Sequence, residues 1–222
     1  MTLLHIETST KNCSVSISKN SELLCLCEEF DEQYGHSGKL HQFIQWAVEG
    51  AKIQLHDLDG ICVSKGPGSY TGLRIGVSAA KGLCYGLNKP LLSLTSLEIL
   101  AQSQIGKGYD LIIPMIDARR MEVYTAVFDG IGNPISKIEA KVLNENSFQE
   151  FAHQKIVFVG DGVEKSKTVL NLPQAEFLVG LNPSAEFMIP LAQEKFKAKK
   201  FEDVAYFEPF YLKEFQTGAK KS

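Results

Sequence analysis

Short apolar runs separated by polar turns open the chain, and they predict a meander of strands followed by alternating helices and strands. The first helix has apolar residues at spacings of three and four, which is the period of an amphipathic helix packed on a core. The predicted strands lie at 3–8, 13–18, 23–28, 58–64 and 91–94, and the predicted helices at 37–52, 71–85 and 96–104. The order of the first half is therefore βββαβαβα.

The second half repeats this order more loosely, and each half opens with an apolar strand that ends in a carboxylate, Glu7 or Asp117. The predicted strands here lie at 111–116, 122–128, 135–142 and 156–159, and the predicted helices at 147–153, 163–170 and 184–197. The pattern predicts an α/β protein of two duplicated βββαβα lobes, residues 1–106 and 107–222, with mixed sheets flanked by helices. This is the layout of the actin-like ATPase (ASKHA) superfold, and it leaves room for the last helix and tail to pack back on the first lobe.

Composition narrows the classes of function. The chain has 222 residues, a formal net charge of −3 and 44% hydrophobic residues, as ordinary globular proteins do. This net negative charge argues against a protein that binds nucleic acid without a partner, because phosphate binding needs a basic surface. The apolar runs are too short to span a membrane, and Met1–Glu7 lacks the features of a signal peptide. An odd number of cysteines, five, with no C-x-x-C pair argues for reduced thiols, so we expect a cytoplasmic chain. The short apolar runs and the acidic balance make contact with a membrane unexpected.

A glycine-rich stretch at 66–76, GPGSYTGLRIG, follows a predicted strand and opens a helix. Backbone N–H groups at the start of a helix can hold an anion. The spacing is neither that of a Walker P-loop nor that of a dinucleotide fingerprint. The alternative is a tight turn with Thr71 as the N-cap of the helix, and the sequence leaves the two interpretations about equal.

Small residues repeat along the helix that follows this turn. Each interior glycine costs a helix about 1 kcal/mol relative to alanine, so a spacing of four indicates a close contact on one side. That contact is either with the helix's own sheet or with a partner protein, and both interpretations stay open. Our hypothesis for a partner interface joins this stripe to the apolar positions of the first helix: Leu40, Phe43, Ile44, Ala47, Gly72, Gly76, Ala79, Ala80 and Leu83.

Glu7 and Asp117 are the carboxylates with a positional argument, because they end equivalent strands. In an ATPase such acids orient Mg²⁺ and phosphate, while nearby glycines let phosphate approach the backbone. Residues 8–10 and 118–121 contain no glycine, so the sequence lacks the close phosphate contact that an ATPase needs. We therefore expect no catalytic residue. A vestigial nucleotide or cleft site would comprise Glu7, Thr8, Ser9, Gly66, Gly68, Ser69, Arg74, Asp117 and Arg119. The alternative is an actin-fold ATPase or kinase with its own nucleotide turnover.

Arginines, lysines and histidines add weaker signals. Arg74, Arg119 and Arg120 are the three arginines of the chain, and their planar groups suit carboxylate or phosphate at a lobe junction or partner contact. The lysine-rich run 195–200 is most simply a solvated helix end, with tRNA contact as the second interpretation. His36 and His41 are five residues apart and do not share a helix face, so no metal site is expected.

Several of these stretches resemble, in order and spacing, the bacterial TsaB (YeaZ) family. They are residues 6–10, 36–37, 66–76, 116–119 and 206–213. The resemblance implies an actin-like two-lobed fold and a part in making the threonylcarbamoyladenosine (t6A) of tRNA. It implies a non-catalytic scaffold or dimerization subunit, an inactive paralogue of the transferase TsaD. TsaD-like enzymes have two metal-binding histidines four residues apart, whereas Leu40 stands four residues after His36 here, so the metal site is not carried over.

The resemblance also implies partners. Proteins of this family bind and activate TsaD as a heterodimer, through helices of the first lobe, and help to recruit the ATPase TsaE. The partner subunits then use ATP and a metal ion, and this chain itself requires no cofactor. It would meet tRNA indirectly through the complex, and it could form a homodimer when alone.

Overall fold

The computed structural model describes residues 1–31 and 36–213, and for His36 and Ser37 it describes the backbone alone. The polar tail from Gln216 lies outside the described residues. Within the described ranges, no helix is both long enough and apolar enough to cross a membrane.

The first half of the chain forms a five-stranded sheet in the order β3-β2-β1-β4-β5. The three strands of the meander pair in antiparallel fashion because short turns join them, and β1, β4 and β5 are parallel because helices connect them. The strands are β1 (Thr2–Glu7), β2 (Asn12–Lys19), β3 (Glu22–Phe30), β4 (Gly60–Ser64) and β5 (Leu91–Leu94).

Two helices, α1 (His36–Gly50) and α2 (Tyr70–Leu87), cover one face of this sheet. The apolar positions of α1 pack on β2 and β3, while α2 packs mainly on β4. Ser69 caps the N-terminus of α2, because its side chain accepts a hydrogen bond from the backbone N–H of Gly72. The expected N-cap, Thr71, is therefore wrong by two residues.

The second sheet repeats the topology of the first. Its strand order, read from β9 to β11, is β9-β7-β6-β10-β11, with β8 paired to β6. The first three are antiparallel and the last three parallel, as in the first sheet, so the duplicated actin-like fold is confirmed. The strands are β6 (Leu111–Asp117), β7 (Glu122–Thr125), β8 (Phe128–Asp129), β9 (Glu139–Val142), β10 (Ile156–Gly160) and β11 (Glu176–Val179).

The helices of the second lobe are shorter than predicted. The segment 147–153 forms only a turn of 3₁₀ helix, because Phe148 adopts a left-handed conformation with φ of 65°. The helix predicted at 163–170 is the single turn α4 (Val163–Ser166). Strand β11 was not predicted, since its four residues are too few to show a period. The last helix, α5 (Met188–Lys197), begins four residues later than expected.

Each lobe contributes one helix to the sheet of the other. Helix α3 (Ser96–Gln102) leaves the first sheet, yet its Leu97 and Leu100 pack on β6 and β10 of the second. Helix α5 comes from the second half, and its Met188 and Ala192 pack on the face of the first sheet opposite α1 and α2. The strands therefore divide at about residue 106, whereas the hydrophobic cores cross that boundary.

Serines on β2 fix the chain where it enters α5. The hydroxyl of Ser16 donates to the carbonyl of Ala185 at 2.9 Å, and the hydroxyl of Ser14 accepts from the N–H of Ala185 at 3.0 Å. Asn12 donates to the carbonyl of Pro183 at 3.1 Å. These bonds satisfy an otherwise irregular backbone in a buried position, so they hold the second half on the first sheet.

His5 is a buried titratable group in the middle of β1. Its Nε2 lies 2.9 Å from the hydroxyl of Ser18, and burial lowers its pKa from 6.5 to about 3. In the unfolded chain a histidine takes up a proton below pH 6.5, whereas folded His5 stays neutral. This group therefore contributes stability that is present above pH 6.5 and is lost as the pH falls from 6.5 towards 3.

We expect His5→Gln to flatten the pH dependence of stability. Relative to the variant, the wild type should lose up to about 1.4 kcal/mol of unfolding free energy per pH unit between pH 6.5 and 5. The buried carboxyl of Glu7 has a raised pKa and acts in the opposite sense, but it is common to both proteins and cancels in the difference. Urea denaturation at a series of pH values measures this, and parallel profiles would contradict it.

Candidate functional site

The carboxylate at the end of β1 is turned into the protein. Glu7 is fully buried, and its Oε1 accepts the backbone N–H of Ser9 at 2.5 Å. Its Oε2 has no hydrogen-bond partner within the described part of the chain. Burial raises the pKa of this carboxyl above 4.5, because desolvation penalises the charged form. A group with this environment is poorly suited to hold a divalent cation.

The glycine-rich turn packs directly on the turn after β1. The backbone N–H of Ser69 donates to the carbonyl of Ser9 at 2.6 Å, and a Cβ at Gly68 would lie 2.2 Å from that same oxygen. Gly66 has a φ of 103°, which favours glycine. The N–H of Ser69 is bound to the carbonyl of Ser9, and the N–H of Gly72 is bound to the hydroxyl of Ser69, so neither donor is available to an anion. The geometry therefore favours the tight turn over the anion site.

The glycine stripe of α2 also faces the end of β1. The hydroxyl of Thr8 donates to the carbonyl of Gly72 at 2.8 Å, and a Cβ at Gly76 would lie 2.3 Å from the same hydroxyl oxygen. The stripe therefore lets α2 approach its own sheet. Thr8, Ser9, Gly68, Ser69, Gly72 and Gly76 thus form one packed cluster.

The residues of the hypothetical partner interface need a correction. All are buried within the first lobe except Leu83, which is half-buried, because they form the side of α1 and α2 that faces the sheet. They cannot themselves contact a partner while the lobe is folded. They are Leu40, Phe43, Ile44, Ala47, Gly72, Gly76, Ala79, Ala80 and Leu83.

The opposite face of α2 is smooth and exposed. Ser78, Gly82 and Gly86 are exposed at spacings of four, and a Cβ at either glycine would meet no described atom within 4 Å. Tyr85 stands among them with 87% of its surface exposed, and Trp46 of α1 is 46% exposed. The interface hypothesis from the sequence used the opposite side of this helix, which the structure shows to be buried.

The carboxylate at the end of β6 lies in a different environment from Glu7. Asp117 is half-exposed. Its Oδ1 accepts a hydrogen bond from the backbone N–H of Arg119 at 2.8 Å and forms an ion pair with the ammonium of Lys165. The ammonium of Lys165 also donates to the carbonyls of Arg120 at 2.9 Å and of Glu122 at 2.5 Å. Arg119 and Arg120 have φ of 69° and 49°, so the hairpin between β6 and β7 turns through two left-handed residues.

A second acid, Asp161, supports the same hairpin. Its Oδ1 accepts the backbone N–H of Asp117 at 2.8 Å. Burial raises the pKa of Asp161, and the positive charges of Lys165 and of Lys11 from the first lobe act against that rise. The flanking Gly160 lets this turn approach β6, since a Cβ there would lie 2.1 Å from a backbone oxygen of that strand. Sequence reasoning missed both Asp161 and Lys165.

These residues do not fit the magnesium and nucleotide that the superfold implies. At the end of β1 the carboxyl is buried and its loop is closed by the glycine-rich turn. At the end of β6 the ammonium of Lys165 is hydrogen-bonded to the carboxylate and carbonyl oxygens that could otherwise coordinate a metal ion. No cluster of three or more histidine, cysteine, aspartate or glutamate side chains able to hold a metal exists among the described residues. The side chain of His36, half of the histidine pair considered above, lies outside the described structure.

Arg74 holds the C-terminal strap, which we define as residues 201–213. Its Nε donates to the hydroxyl of Tyr211 at 3.2 Å, and its guanidinium lies 4.1 Å from the centre of the Tyr70 ring. Lys81 donates to the carbonyls of Ala205 and Phe207 at 3.1 and 2.9 Å. Arg74 therefore contacts the protein's own tyrosines rather than a free carboxylate or phosphate.

The strap also ties the two lobes together. The backbone N–H of Phe210 donates to the carbonyl of Lys65 beside the glycine-rich turn at 2.7 Å. Farther along, Lys213 makes an ion pair with Glu122 of the second sheet. In the lysine-rich run before the strap, Lys195 donates to the carbonyl of Ser93 at 2.8 Å, whereas residues 197–200 are exposed.

Comparison with known proteins assigns the family. Residues 32–215 match the family model described as TsaD: tRNA N6-adenosine threonylcarbamoyltransferase. The tRNA threonylcarbamoyladenosine biosynthesis protein TsaB of Escherichia coli K12 is 31% identical, over 96% of this chain and 95% of that protein. The chain belongs to the TsaB family.

Further relatives agree with this membership. The TsaB protein of Bacillus subtilis 168 is 36% identical over 58% of this chain and 55% of its own length. The solved structure of YeaZ from Pseudomonas aeruginosa superposes with a TM-score of 0.85 and 26% identity, covering 95% of this chain and 99% of that one. The glycine-rich turn and the strap are two of the stretches that resemble the family in sequence. In this TsaB-family chain they join the end of β1, α2 and the second sheet.

Two glycine-to-alanine substitutions in α2 should have opposite effects on stability. Gly76→Ala forces a methyl group onto the Thr8 hydroxyl, which cannot turn away without losing Gly72, and should cost about 1–3 kcal/mol. Gly82→Ala meets open space and should raise the unfolding free energy by up to about 1 kcal/mol. Urea denaturation of the two variants beside the wild type measures both, and equal effects would show that the stripe does not face β1.

Proposed function

We propose that this chain acts in the biosynthesis of tRNA threonylcarbamoyladenosine as a non-catalytic subunit that binds and activates TsaD and helps to recruit TsaE. Membership of the TsaB family supports the pathway. The observation that carries the partner role is the exposed face of α2, where Ser78, Gly82 and Gly86 surround Tyr85.

Among the described residues, nothing approaches the exposed glycines of α2 closely enough to offset their cost to the helix. A glycine inside a helix is about 1 kcal/mol less favourable than alanine, and neither Gly82 nor Gly86 meets a described atom that a Cβ would touch. Helices pack at distances set by the side chains between them, so a glycine face allows a partner helix to approach closely. Tyr85 and Trp46 supply large amphipathic side chains of the kind that anchor interfaces.

The strand ends support the non-catalytic part of the proposal. An ATPase of this fold needs acids that are free to orient a metal ion and phosphate. Glu7 is buried and bound to its own turn, and Asp117 is paired with Lys165. ATP and a metal ion would then be used by the partner subunits, and this chain would need no cofactor.

The charge of the chain is consistent with an indirect role towards tRNA. A protein with a net charge of −3 binds a polyanion weakly, so the proposed complex would bind tRNA mainly through other subunits. When no partner is present, the smooth face of α2 could pair with that of a second copy. A homodimer and the TsaD heterodimer would then exclude each other.

Gly82→Arg should abolish co-purification with TsaD while leaving the chain folded. Gly82 is exposed and a Cβ there meets no described atom within 4 Å, so the arginine can extend into solvent in the free chain, whereas in a close helix contact it would weaken binding by at least about tenfold. Asn171→Arg, which adds the same charge at an exposed position of the second lobe, is the matched control. Affinity is measured by co-purification and calorimetry, and folding by thermal unfolding.

If Gly82→Arg bound TsaD as the wild type does, the outer face of α2 would not be the contact. Loss of binding by both arginine variants would point to charge alone. A lower melting temperature for Gly82→Arg would show that this position is not open in the folded chain.

The isolated chain should show no ATP turnover of its own. Phosphate release from Mg-ATP by the wild type should equal that by Asp117→Ala, because the ion pair with Lys165 already occupies the carboxylate that would hold the metal. Saturable turnover that is lost in Asp117→Ala would instead favour the actin-fold ATPase or kinase.

A further inference from the structure

We propose that Lys165 is a built-in cation: its ammonium fills a pocket of oxygen ligands at the hairpin between β6 and β7 that would otherwise bind a divalent metal ion. The inference is independent of the partner role, because it concerns the free chain.

The ligands of this ammonium converge from one hairpin. Lys165 donates to a carboxylate oxygen of Asp117, to the carbonyl of Arg120 at 2.9 Å and to the carbonyl of Glu122 at 2.5 Å. A lysine ammonium has three N–H donors, so these three acceptors saturate it. The side chain is only 19% exposed, which separates this arrangement from an ordinary surface ion pair.

The same three oxygens are of the type that Ca²⁺ and Mg²⁺ prefer. Both ions are hard cations that take carboxylate and backbone carbonyl ligands, and Ca²⁺ tolerates irregular geometry. Asp161 adds a second carboxylate to the neighbourhood, since it accepts the backbone N–H of Asp117. Without the ammonium, the carboxylates of Asp117 and Asp161 and the carbonyls of Arg120 and Glu122 would lose the cation that hydrogen-bonds three of these groups directly.

The backbone beside the ammonium has an unusual conformation. Arg119 and Arg120 both adopt left-handed conformations, which residues other than glycine rarely take. This turn aims the carbonyl of Arg120 at Lys165. The ammonium thus binds a carbonyl that a left-handed turn directs towards it.

The fold delivers Lys165 to this position through the turn after β10. The N–H of Gly162 donates to the carbonyl of Met115 on β6 at 3.0 Å, which places the turn against that strand. Val163 is buried at the start of α4, and Lys165 follows it within that single turn. The ion pair joins residues 48 positions apart in the chain, so only the folded second lobe brings them together.

The test replaces Lys165 by methionine, which keeps a long apolar side chain and removes the charge. In EDTA, Lys165→Met should melt at least about 3 °C below the wild type. Millimolar Ca²⁺ or Mg²⁺ should restore most of that loss in the variant and should leave the wild type unchanged. Lys167→Met, at an exposed neighbouring position of the same turn, is the matched control and should respond to neither.

A second variant identifies the ligand. Adding Asp117→Asn to Lys165→Met should remove the effect of the metal, and calorimetry with CaCl₂ or MgCl₂ should show one site in the single variant only. If Lys165→Met folds only with metal, a metal-dependent circular dichroism signal gives the same answer. A metal-independent loss of stability, no loss at all, or metal binding to the wild type that Asp117→Asn abolishes would each overturn the proposal. None of these outcomes bears on binding of TsaD, so the two proposals fail separately.

Discussion

The exchange of helices between the two sheets is the constraint on which the rest of the structure depends. Leu97 and Leu100 of α3 lie in the core of the second lobe, and Met188 of α5 lies in the core of the first. Neither helix can leave its position without exposing buried apolar surface, and the serines of β2 and the strap add polar ties between the lobes. The ends of β1 and β6 therefore lie in surroundings that elements from both halves of the chain pack together.

In these packed surroundings, the polar groups at the two strand ends bind other groups of the same chain. Glu7 binds the turn that follows it, that turn binds Ser69, and Asp117 binds Lys165. The fold alone does not decide function, since one superfold can support catalysis in one protein and assembly in another. The internal use of these groups and the exposed outer face of α2 are the observations on which the proposed assembly role rests.

Much of the fold could be predicted from periodicity, because α1 and α2 each present one apolar face and the first five strands are bounded by clear turns. The direction of the contact made by Gly76 could not be predicted, since the spacing of small residues is the same whether a helix faces its sheet or a partner. Lys165 was missed for a different reason: its partner Asp117 is 48 residues away, and one lysine in a weakly periodic segment gives no signal. Strand β11 was missed because four residues show no period.

We propose that the chain meets its partner through the outer face of α1 and α2, while the polar groups at the ends of β1 and β6 stay bound within the chain. Hydroxyl-radical footprinting of the chain, alone and in complex with TsaD, tests this at single side chains. Tyr85 and Trp46, which are 87% and 46% exposed in the free chain, should both lose reactivity in the complex, while Ile131 of the second lobe, 76% exposed, should keep it. Unchanged reactivity of Tyr85 together with protection of Ile131 would contradict the account.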